Sequence, residues 1–331
     1  MRMPSMRPLL FAFLISALLA AVACTKRSHA QTSPAALQLE IKPPFRFVAY
    51  GDTRFHDPKD TAPADPEVRK TLVQAIADAN PAFICFSGDI VLNGNDANDW
   101  HVWDEETRIW HDKKIPVYPV LGNHDLHGKE ELALSNYFQR YPDLKNSRYY
   151  SVQAGNTLIL ALDSSQDETS GPQGEWLADR LDHVSPTVDF VFLLLHHPPY
   201  TSSSDSAPHG GHSARPQEAA LAKFLEERQA RVHYRMIVIA GHVHNYERFE
   251  HGGVTYFVSG GGGARPYIIN RAPGDLFKGQ DVNYHYLLVQ VADASVKITM
   301  NRLDLSSGKA AWSQPDSVTI TLPAAASASG H

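Results

Sequence analysis

Short apolar runs alternate with amphipathic segments along most of the chain. Five apolar runs have the length of buried strands: Phe45–Tyr50, Ala82–Ser87, Val117–Leu121, Phe190–Leu195 and Met236–Ala240. Helical patterns separate them at Pro66–Ala79, Ala97–Trp110, Lys129–Gln139, Gly174–His183 and Gln217–Arg228. Gly155-Asn156 predicts a hairpin turn between two further apolar runs, and short β runs fill much of residues 254–322. The alternation of strands and helices predicts an α/β fold.

Polar residues directly follow each of the five apolar runs. These polar motifs are Gly51-Asp52, Gly88-Asp89, Gly122-Asn123-His124-Asp125, His196-His197 and Gly241-His242-Val243-His244. Any one of these pairs is typical of an ordinary turn. In open α/β sheets, however, ligands bind outside the carboxyl ends of the strands, so five such motifs together indicate one site. Asp, Asn and His are a consistent donor set for Zn, Mn or Fe.

Composition excludes several classes of protein. The 331 residues are 43% hydrophobic and 20% charged, which is typical of a globular protein and excludes a disordered chain or a multi-span membrane protein. The formal net charge is -6 and no block rich in Lys or Arg stands out, so no nucleic-acid partner is expected. An anionic substrate would have to be held by local charge.

The ordered series of polar motifs resembles the calcineurin-like metallophosphoesterase superfamily. The resemblance spans about residues 45–245, and the run Gly241–Arg248 is similar to the version found in purple acid phosphatases. It implies a four-layer α/β/β/α sandwich with two mixed β-sheets. We therefore expect a catalytic domain over residues 45–323, followed by a flexible tail at 324–331. The resemblance also implies two metal ions, either Fe, Zn or Mn.

Metal ligands can be carried over from the family position by position. The resemblance implies Asp52 and His244 on the first ion, Asn123, His196 and His242 on the second, and Asp89 bridging both. His196 is preferred to His197 because the family places this ligand two residues before a proline, here Pro198.

The resemblance also implies residues that act on the substrate. His124 would lie near the leaving group as an acid or as a transition-state donor, and Asp125 would orient it. His197 would contact the substrate or neighbour the ligands, although a hydrogen bond to a nearby carbonyl is an equal alternative.

Two positions depart from the family pattern and weaken the first metal site. Most members have His two residues after the first Asp, and purple acid phosphatases instead have a Tyr ligand three residues after the second Asp. Those positions hold Arg54 and Leu92, and a protonated guanidinium cannot bind a metal. His56 is a possible replacement ligand, or a plain loop residue. Arg54 is placed to bind a phosphoryl group, or alternatively to form an ion pair with Asp57.

The loop from Pro198 to Arg215 follows the predicted ligand His196 and is rich in Ser and Gly. His209 and His212 lie in this loop and are candidates for substrate binding. A solvated loop with incidental histidines is the alternative.

Residues 1–23 predict a secretory signal peptide. Arg2 and Arg7 precede an apolar run that is too short for a membrane span and ends in small residues. The run ends at Cys24 in a sequence that resembles the lipobox of bacterial lipoproteins, so lipidated Cys24 would anchor the protein to a membrane. A cut after Ala30 would instead leave a soluble form. Residues 24–44 predict a tether, and the mature protein is expected to be a periplasmic or outer-envelope lipoprotein, or secreted.

These observations predict a metal-dependent phosphohydrolase. Two ions that share a carboxylate activate water and hold the oxygens of a phosphate ester. A small-molecule phosphomonoester is the expected substrate, and a phosphodiester is the first alternative. The second alternative is a non-catalytic module that binds phosphate or a partner through a single ion. The retained Asp89, Asn123 and His124 favour hydrolysis.

Overall fold

Two mixed β-sheets pack face to face in the computed structural model, which describes residues 33–207, 211–279 and 282–322. The strands in these ranges are β1 Ala36–Leu39, β2 Phe45–Tyr50, β3 Ile84–Phe86, β4 Val117–Pro119, β5 Tyr150–Ala154, β6 Thr157–Ala161, β7 Phe190–Leu195, β8 Arg235–Ala240, β9 Tyr246–His251, β10 Val254–Ser259, β11 Tyr284–Val291, β12 Ser295–Asp304, β13 Ala311–Ser313 and β14 Ser317–Thr321. The α-helices are α1 Pro66–Asp78, α2 Ala97–Glu106, α3 Arg108–Asp112, α4 Glu130–Arg140, α5 Gly171–Asp182 and α6 Pro216–Gln229.

Each sheet contains a block of parallel strands. Sheet A has the order β1-β5-β6-β7-β8-β10-β9, and sheet B has the order β13-β12-β11-β2-β3-β4 with β14 paired to β12. Strands β6, β7, β8 and β10 run parallel to one another, as do β2, β3 and β4. The strands that precede the polar motifs therefore end at a common edge within each sheet. The predicted hairpin between β5 and β6 is confirmed.

The layers follow from the alternation of side chains along the strands. Phe47 of β2 meets Phe192 of β7 edge to face between the sheets, with ring centroids 5.1 Å apart. Tyr50 points to the other face of sheet B, where its ring contacts Trp110 of α3. Helices α5 and α6 bury their leucines against the outer face of sheet A. The four-layer α/β/β/α sandwich with two mixed sheets is confirmed.

The helix predicted over Ala97–Trp110 is divided into α2 and α3 at Thr107. The Thr107 hydroxyl donates to the carbonyl of Trp103 at 2.7 Å, and the backbone of Thr107 leaves the helical region at φ -97° and ψ 6°. A side-chain bond of this kind competes with the helical ladder and ends α2 one turn early. The three tryptophans of this segment, Trp100, Trp103 and Trp110, are buried in the core.

Sheet A begins earlier in the chain than the predicted domain boundary at residue 45. Ala36–Leu39 forms edge strand β1 and pairs parallel to β5, with Ala36 opposite Ser151. The tether predicted over residues 24–44 is therefore wrong for these four residues, because their half-buried alternation is that of an edge strand. Cys24, the signal segment and the tail at 324–331 lie outside the described residues. Within the described ranges, no helix combines the length and apolarity that a membrane span needs.

Candidate metal centre

The polar motifs of both sheets meet at the carboxyl ends of β2, β3, β4, β7 and β8. Three of the predicted ligands lie in tight turns with left-handed backbone: Asp52 at φ 58°, Asp89 at φ 52° and His242 at φ 69°. Such angles are uncommon for residues other than glycine, and they cluster at functional sites. Because the N–H of His242 donates to both carboxylate oxygens of Asp52 at 3.0 Å, the turns of the two sheets are joined directly.

Acceptor atoms of Asn123, Asp89 and His242 converge on one nitrogen of the His196 ring, and we name these four residues the His196 site. Nδ1 of His196 lies 2.9 Å from the carbonyl of Ser87, which places the ring proton on that nitrogen. Nε2 then presents a lone pair, and it lies 3.1 Å from Oδ1 of Asn123, 3.3 Å from Oδ1 of Asp89 and 3.2 Å from Nδ1 of His242. Lone pairs that face one another at these distances fit a shared cation. The four predicted ligands of the second ion are therefore brought together.

A second cluster, named the Asp52 site, consists of Asp52, Asp89 and His244. One ligand atom from each lies within 4.8 Å of the other two, and all three residues are buried. Nδ1 of His244 donates to the carbonyl of Arg265 at 2.6 Å, so the lone pair of Nε2 faces Asp52 Oδ1 at 3.7 Å. Among the described residues, neither His244 Nε2 nor Asp89 Oδ2 has a hydrogen-bond partner. Buried polar atoms rarely lack a hydrogen bond, so these two atoms fit a metal ion, and Oδ2 of Asp89 also faces Nη2 of Arg54 at 3.5 Å.

The electrostatics favour the metal-binding protonation states. Burial lowers the pKa of His196, His242 and His244, which leaves these imidazoles neutral, the form that binds a metal. Burial, followed by the negative charge of Asp89, raises the pKa of Asp52. Two carboxylates in one buried site repel each other, and a bound cation would offset this repulsion.

Two glycines let the motif loops approach the carboxylates closely. A Cβ on Gly122 would lie 2.3 Å from Oδ1 of Asp89, and a Cβ on Gly241 would lie 2.3 Å from Oδ2 of Asp52. Any other residue would displace a predicted ligand, so the glycine that precedes each polar residue has a packing reason.

Arg54 points into the centre and not toward Asp57. Its Nη2 lies 3.5 Å from Oδ2 of Asp89, and its side chain is 15% exposed. The backbone N–H of Arg54 donates to the carbonyl of Asp89 at 3.0 Å, which fixes the turn in a left-handed conformation at φ 48°. A guanidinium therefore stands beside the Asp52 site, where most members of the superfamily have a neutral ligand.

His56 is not a metal ligand, which corrects one alternative drawn from the sequence. Nδ1 of His56 lies 2.5 Å from the carbonyl of Arg54, and Nε2 lies 2.7 Å from the carbonyl of Asp60. Nη1 of Arg69 also lies 3.2 Å from Nδ1 of His56. Both ring nitrogens are engaged in holding this loop, so His56 is a structural residue.

His124 lies at the rim of the centre, but Asp125 does not orient it. Nδ1 of His124 donates to the carbonyl of Leu92 at 2.7 Å, and its backbone N–H donates to Oδ1 of Asp89 at 2.8 Å. The carboxylate of Asp125 instead accepts backbone N–H groups, including that of Gly122 at 2.9 Å. Burial lowers the pKa of His124 to about 4. The expected orienting role of Asp125 is wrong, because this carboxylate fastens the loops that carry the ligands.

Asp125 makes its other two hydrogen bonds to the loop that follows β3. Its Oδ1 accepts the N–H of Ile90 at 2.9 Å and that of Val91 at 3.2 Å. Burial, then the charge of Asp89, raises the pKa of Asp125 to about 8.

His197 and His212 lie beside the His196 site. Nδ1 of His197 lies 2.8 Å from the hydroxyl of Ser164, and its ring is 4.3 Å from that of His242. The ring of His212 is 4.1 Å from that of His242, so both histidines adjoin a predicted metal ligand. His209, the remaining candidate of this loop, lies outside the described residues.

Tyr267 is a residue of the centre that the sequence did not reveal. Its ring stacks on His244 with centroids 4.4 Å apart and an angle of 13°, and its hydroxyl lies 3.1 Å from Nε2 of His212. It lies 23 positions after the GHVH motif, in a segment without regular secondary structure, so no spacing pattern points to it.

A cavity of about 590 Å³ lies elsewhere on the molecule, between α2, α3 and β4. Its lining includes Trp103, Trp110, Tyr118, Arg140 and Tyr141. None of its lining residues is a predicted metal ligand or substrate residue. The convergent acceptor atoms, and not the size of a cavity, therefore identify the candidate site.

Comparisons with curated proteins agree with this geometry. The chain is 27% identical over 177 residues to purple acid phosphatase 23 of Arabidopsis thaliana, a match that covers 51% of this chain and 36% of that protein. It is 25% identical over 195 residues to the phosphoenolpyruvate phosphatase of Allium cepa, with 54% of this chain and 38% of that protein covered. The matched region thus spans little more than a third of the length of either relative.

A solved structure and a family model extend the comparison. The purple acid phosphatase PPD1 from yellow lupin (Lupinus luteus) seeds has a TM-score of 0.65 at 16% identity, covering 85% of this chain and 54% of that chain. At this identity the likeness concerns the fold alone. The model of the calcineurin-like phosphoesterase family matches residues 45–246, which is more than half of the chain. The protein therefore belongs to the calcineurin-like phosphoesterase family.

Proposed function

We propose that the protein is a metal-dependent phosphohydrolase that uses two ions and acts on phosphomonoesters. The observation that carries this proposal is the pair of adjacent acceptor clusters that share the buried carboxylate of Asp89. When bound, two such ions supply an activated water and neutralise the charge that develops on the phosphoryl group. The donor set is compatible with Fe, Zn and Mn alike.

Some residues of the centre would bind the ions, and others would act on the ester. Asn123, His196 and His242 would hold one ion, while Asp52 and His244 would hold the other. The remaining groups act on the ester. Arg54 faces the phosphoryl oxygens, because a guanidinium binds such oxygens in a bidentate way. His124, fixed through Nδ1 by the Leu92 carbonyl, presents Nε2 to the leaving group, and in its protonated form it would donate a proton there.

Phosphomonoesters are favoured over phosphodiesters for two reasons. Two of the curated relatives are named purple acid phosphatase 23 and phosphoenolpyruvate phosphatase. A guanidinium beside the centre also suits a doubly charged phosphoryl group better than a singly charged one. A phosphodiesterase of the same fold is the second candidate, and a module that binds phosphate through one ion is the third.

The proposal is tested by hydrolysis of a chromogenic aryl phosphate. Turnover should be abolished by a chelator, restored by Mn²⁺, Zn²⁺ or iron, and absent in Asp89→Ala. Faster hydrolysis of an aryl phosphodiester would favour the second candidate. If the protein binds these metals but hydrolyses neither ester with any of them, the proposed hydrolytic function is contradicted.

We further propose that the protein is exported, on the strength of the charged and apolar pattern of residues 1–23. Cys24 would carry the lipid anchor. Expression of the full-length chain in bacteria, followed by fractionation and metabolic labelling with a palmitate analogue, should place the label on the wild type and not on Cys24→Ser. Unlabelled wild type in the periplasm would contradict lipidation, and retention in the cytoplasm would contradict export.

A further inference from the structure

A row of polar groups leads outward from the shared carboxylate of the metal centre. Arg54 Nη2 lies 3.5 Å from Oδ2 of Asp89, and the positive charge of Arg54 is near enough to Tyr267 to act on the pKa of its phenol. The hydroxyl of Tyr267 lies 3.1 Å from Nε2 of His212. A guanidinium and a phenol beside the Asp52 site and an imidazole beside the His196 site thus form one row, and each of these groups can donate a hydrogen bond to an anion.

Tyr267 is held rigidly in this row. Its backbone N–H donates to the carbonyl of His244 at 3.1 Å, and its carbonyl accepts a hydrogen bond from Nδ2 of Asn245 at 2.7 Å. The stacking of its ring on His244 fixes the plane of the phenol. A phenol carries its proton at neutral pH, so the Tyr267 hydroxyl can act as a donor. A preorganised donor of this kind needs little rearrangement to bind an oxygen.

His212 is fixed from the opposite side. Its backbone N–H donates to the hydroxyl of Ser203 at 3.1 Å, and its ring lies against that of His242. Nδ1 lies 3.8 Å from Oδ1 of Asp205, an exposed carboxylate. Nε2 is therefore the nitrogen that faces Tyr267 and the centre.

The chemistry of phosphate esters gives this row a selective role. A monoester has three terminal oxygens and carries up to two negative charges, whereas a diester has two terminal oxygens and one charge. When two metal ions bind two oxygens, the next oxygen of a monoester still carries charge and accepts hydrogen bonds. In a diester that oxygen is bonded to carbon, so the donors would face a poor acceptor and remain unpaired at a cost.

We propose that Tyr267 is a specificity-determining residue that, together with Arg54 and His212, binds the terminal oxygen by which a phosphomonoester differs from a diester. This inference rests on the proposed phosphohydrolase function and names the residue that sets its substrate class. Tyr267 touches the substrate in this assignment and takes no part in proton transfer.

The test compares Tyr267→Phe with wild type in the full-length, metal-loaded protein. The variant keeps the ring on His244 and removes only the hydroxyl. The kcat/KM for an aryl phosphate monoester should fall roughly 10- to 100-fold, mainly through KM, because a hydrogen bond to a charged group is lost. The kcat/KM for the matching aryl methyl phosphodiester should change by less than about twofold. Titration with inorganic phosphate should show weaker binding to the variant.

Tyr200→Phe is the matched control. Tyr200 also stacks on a histidine, His251, with centroids 4.2 Å apart and an angle of 24°, but its hydroxyl donates to Glu226, away from the ligands. This control should retain wild-type values for both esters. An equal loss with both esters in Tyr267→Phe, or unchanged monoester kinetics and phosphate binding, would overturn the inference.

The phosphate titration separates this inference from the proposed function. If the wild type hydrolyses neither ester, the proposed function fails, and the effect of Tyr267→Phe on phosphate binding still decides the role of the hydroxyl. Unchanged phosphate binding in such a protein would overturn the inference as well.

Discussion

The His196 site and the Asp52 site share Asp89 but differ in what surrounds them. Around His196, a side-chain amide, two imidazoles and a carboxylate present acceptor atoms to one another. The Asp52 site offers two carboxylates and one imidazole, and a guanidinium stands 3.5 Å from Asp89. The His196 site therefore has only neutral and anionic ligands, whereas the Asp52 site lies beside a fixed positive charge.

A single residue in a turn, Arg54, can thus make the two metal sites unequal while the two-sheet fold stays the same. Arg54 occupies a left-handed position beside Asp89 and is held there by backbone hydrogen bonds. Its charge partly neutralises Asp89, so a cation in the Asp52 site gains less from the shared carboxylate. We expect two bound ions of unequal affinity, with the tighter ion in the His196 site.

Loss of the shared carboxylate should have the largest effect, because it removes a ligand from both sites. Asp89→Asn keeps the shape of the side chain and should lower hydrolysis of an aryl phosphate by roughly 10³-fold or more. Metal analysis after dialysis should show both ions lost or weakened. Asp304→Asn, at an exposed carboxylate of β12, serves as the control and should match wild type. Retention of both ions in Asp89→Asn would contradict a shared ligand.

Removing a ligand that belongs to only one site should show which metal-binding event belongs to which site. His196→Ala should abolish the tighter metal-binding event, and His244→Ala should abolish the weaker one. Loss of a metal ligand should lower affinity by at least the roughly 10- to 100-fold seen for residues that only support ligands. Calorimetric titration of both variants with Mn²⁺ checks this assignment. The reverse pattern would show that Arg54 does not weaken the Asp52 site.

Replacing the guanidinium should make the two sites more alike. Arg54→His removes a positive charge and restores the residue type that most members of the superfamily have there. The weaker ion should then bind roughly 10- to 100-fold more tightly, and affinity at the His196 site should change little. Arg108→His, at an exposed arginine of α3 paired with Glu105, is the matched control. An unchanged or weaker second binding event in Arg54→His would contradict the explanation.

The buried carboxyl pair of Glu168 and Glu218 should give the smallest effect, on stability and not on metal binding. Burial, then the charge of Glu218, raises the pKa of Glu168 to about 8. Glu218 is paired with Arg215, which also donates to the carbonyl of Ser164.

The sign of the pH dependence follows from the raised pKa. The folded protein holds the proton of Glu168 from its ordinary pKa of 4.5 up to about 8, while the unfolded chain releases it. The free energy of unfolding should therefore fall as pH rises through this window. Glu168→Gln should remove a fall on the order of a few kcal/mol. Urea unfolding of both proteins from pH 5 to 9 measures the difference, and parallel pH curves would contradict it.

The sequence predicted the scaffold better than the surroundings of the site. Phe45–Tyr50 and Phe190–Leu195 were predicted to the residue, because buried parallel strands form continuous apolar runs. The ligands follow such strands and are marked by Gly-polar pairs. Asp125 and Tyr267 illustrate what a local pattern cannot provide. Their partners depend on how loops that are distant in sequence pack together, and nothing in the spacing shows that packing.

The inequality of the two metal sites is tested most simply by titrating the metal-free, full-length protein with Mn²⁺ in a calorimeter. Metal analysis of the loaded protein then gives the number of bound ions. We expect two ions per chain with clearly different affinities, and affinities that converge in Arg54→His. Two equal binding events in the wild type, or a single ion in both proteins, would contradict it.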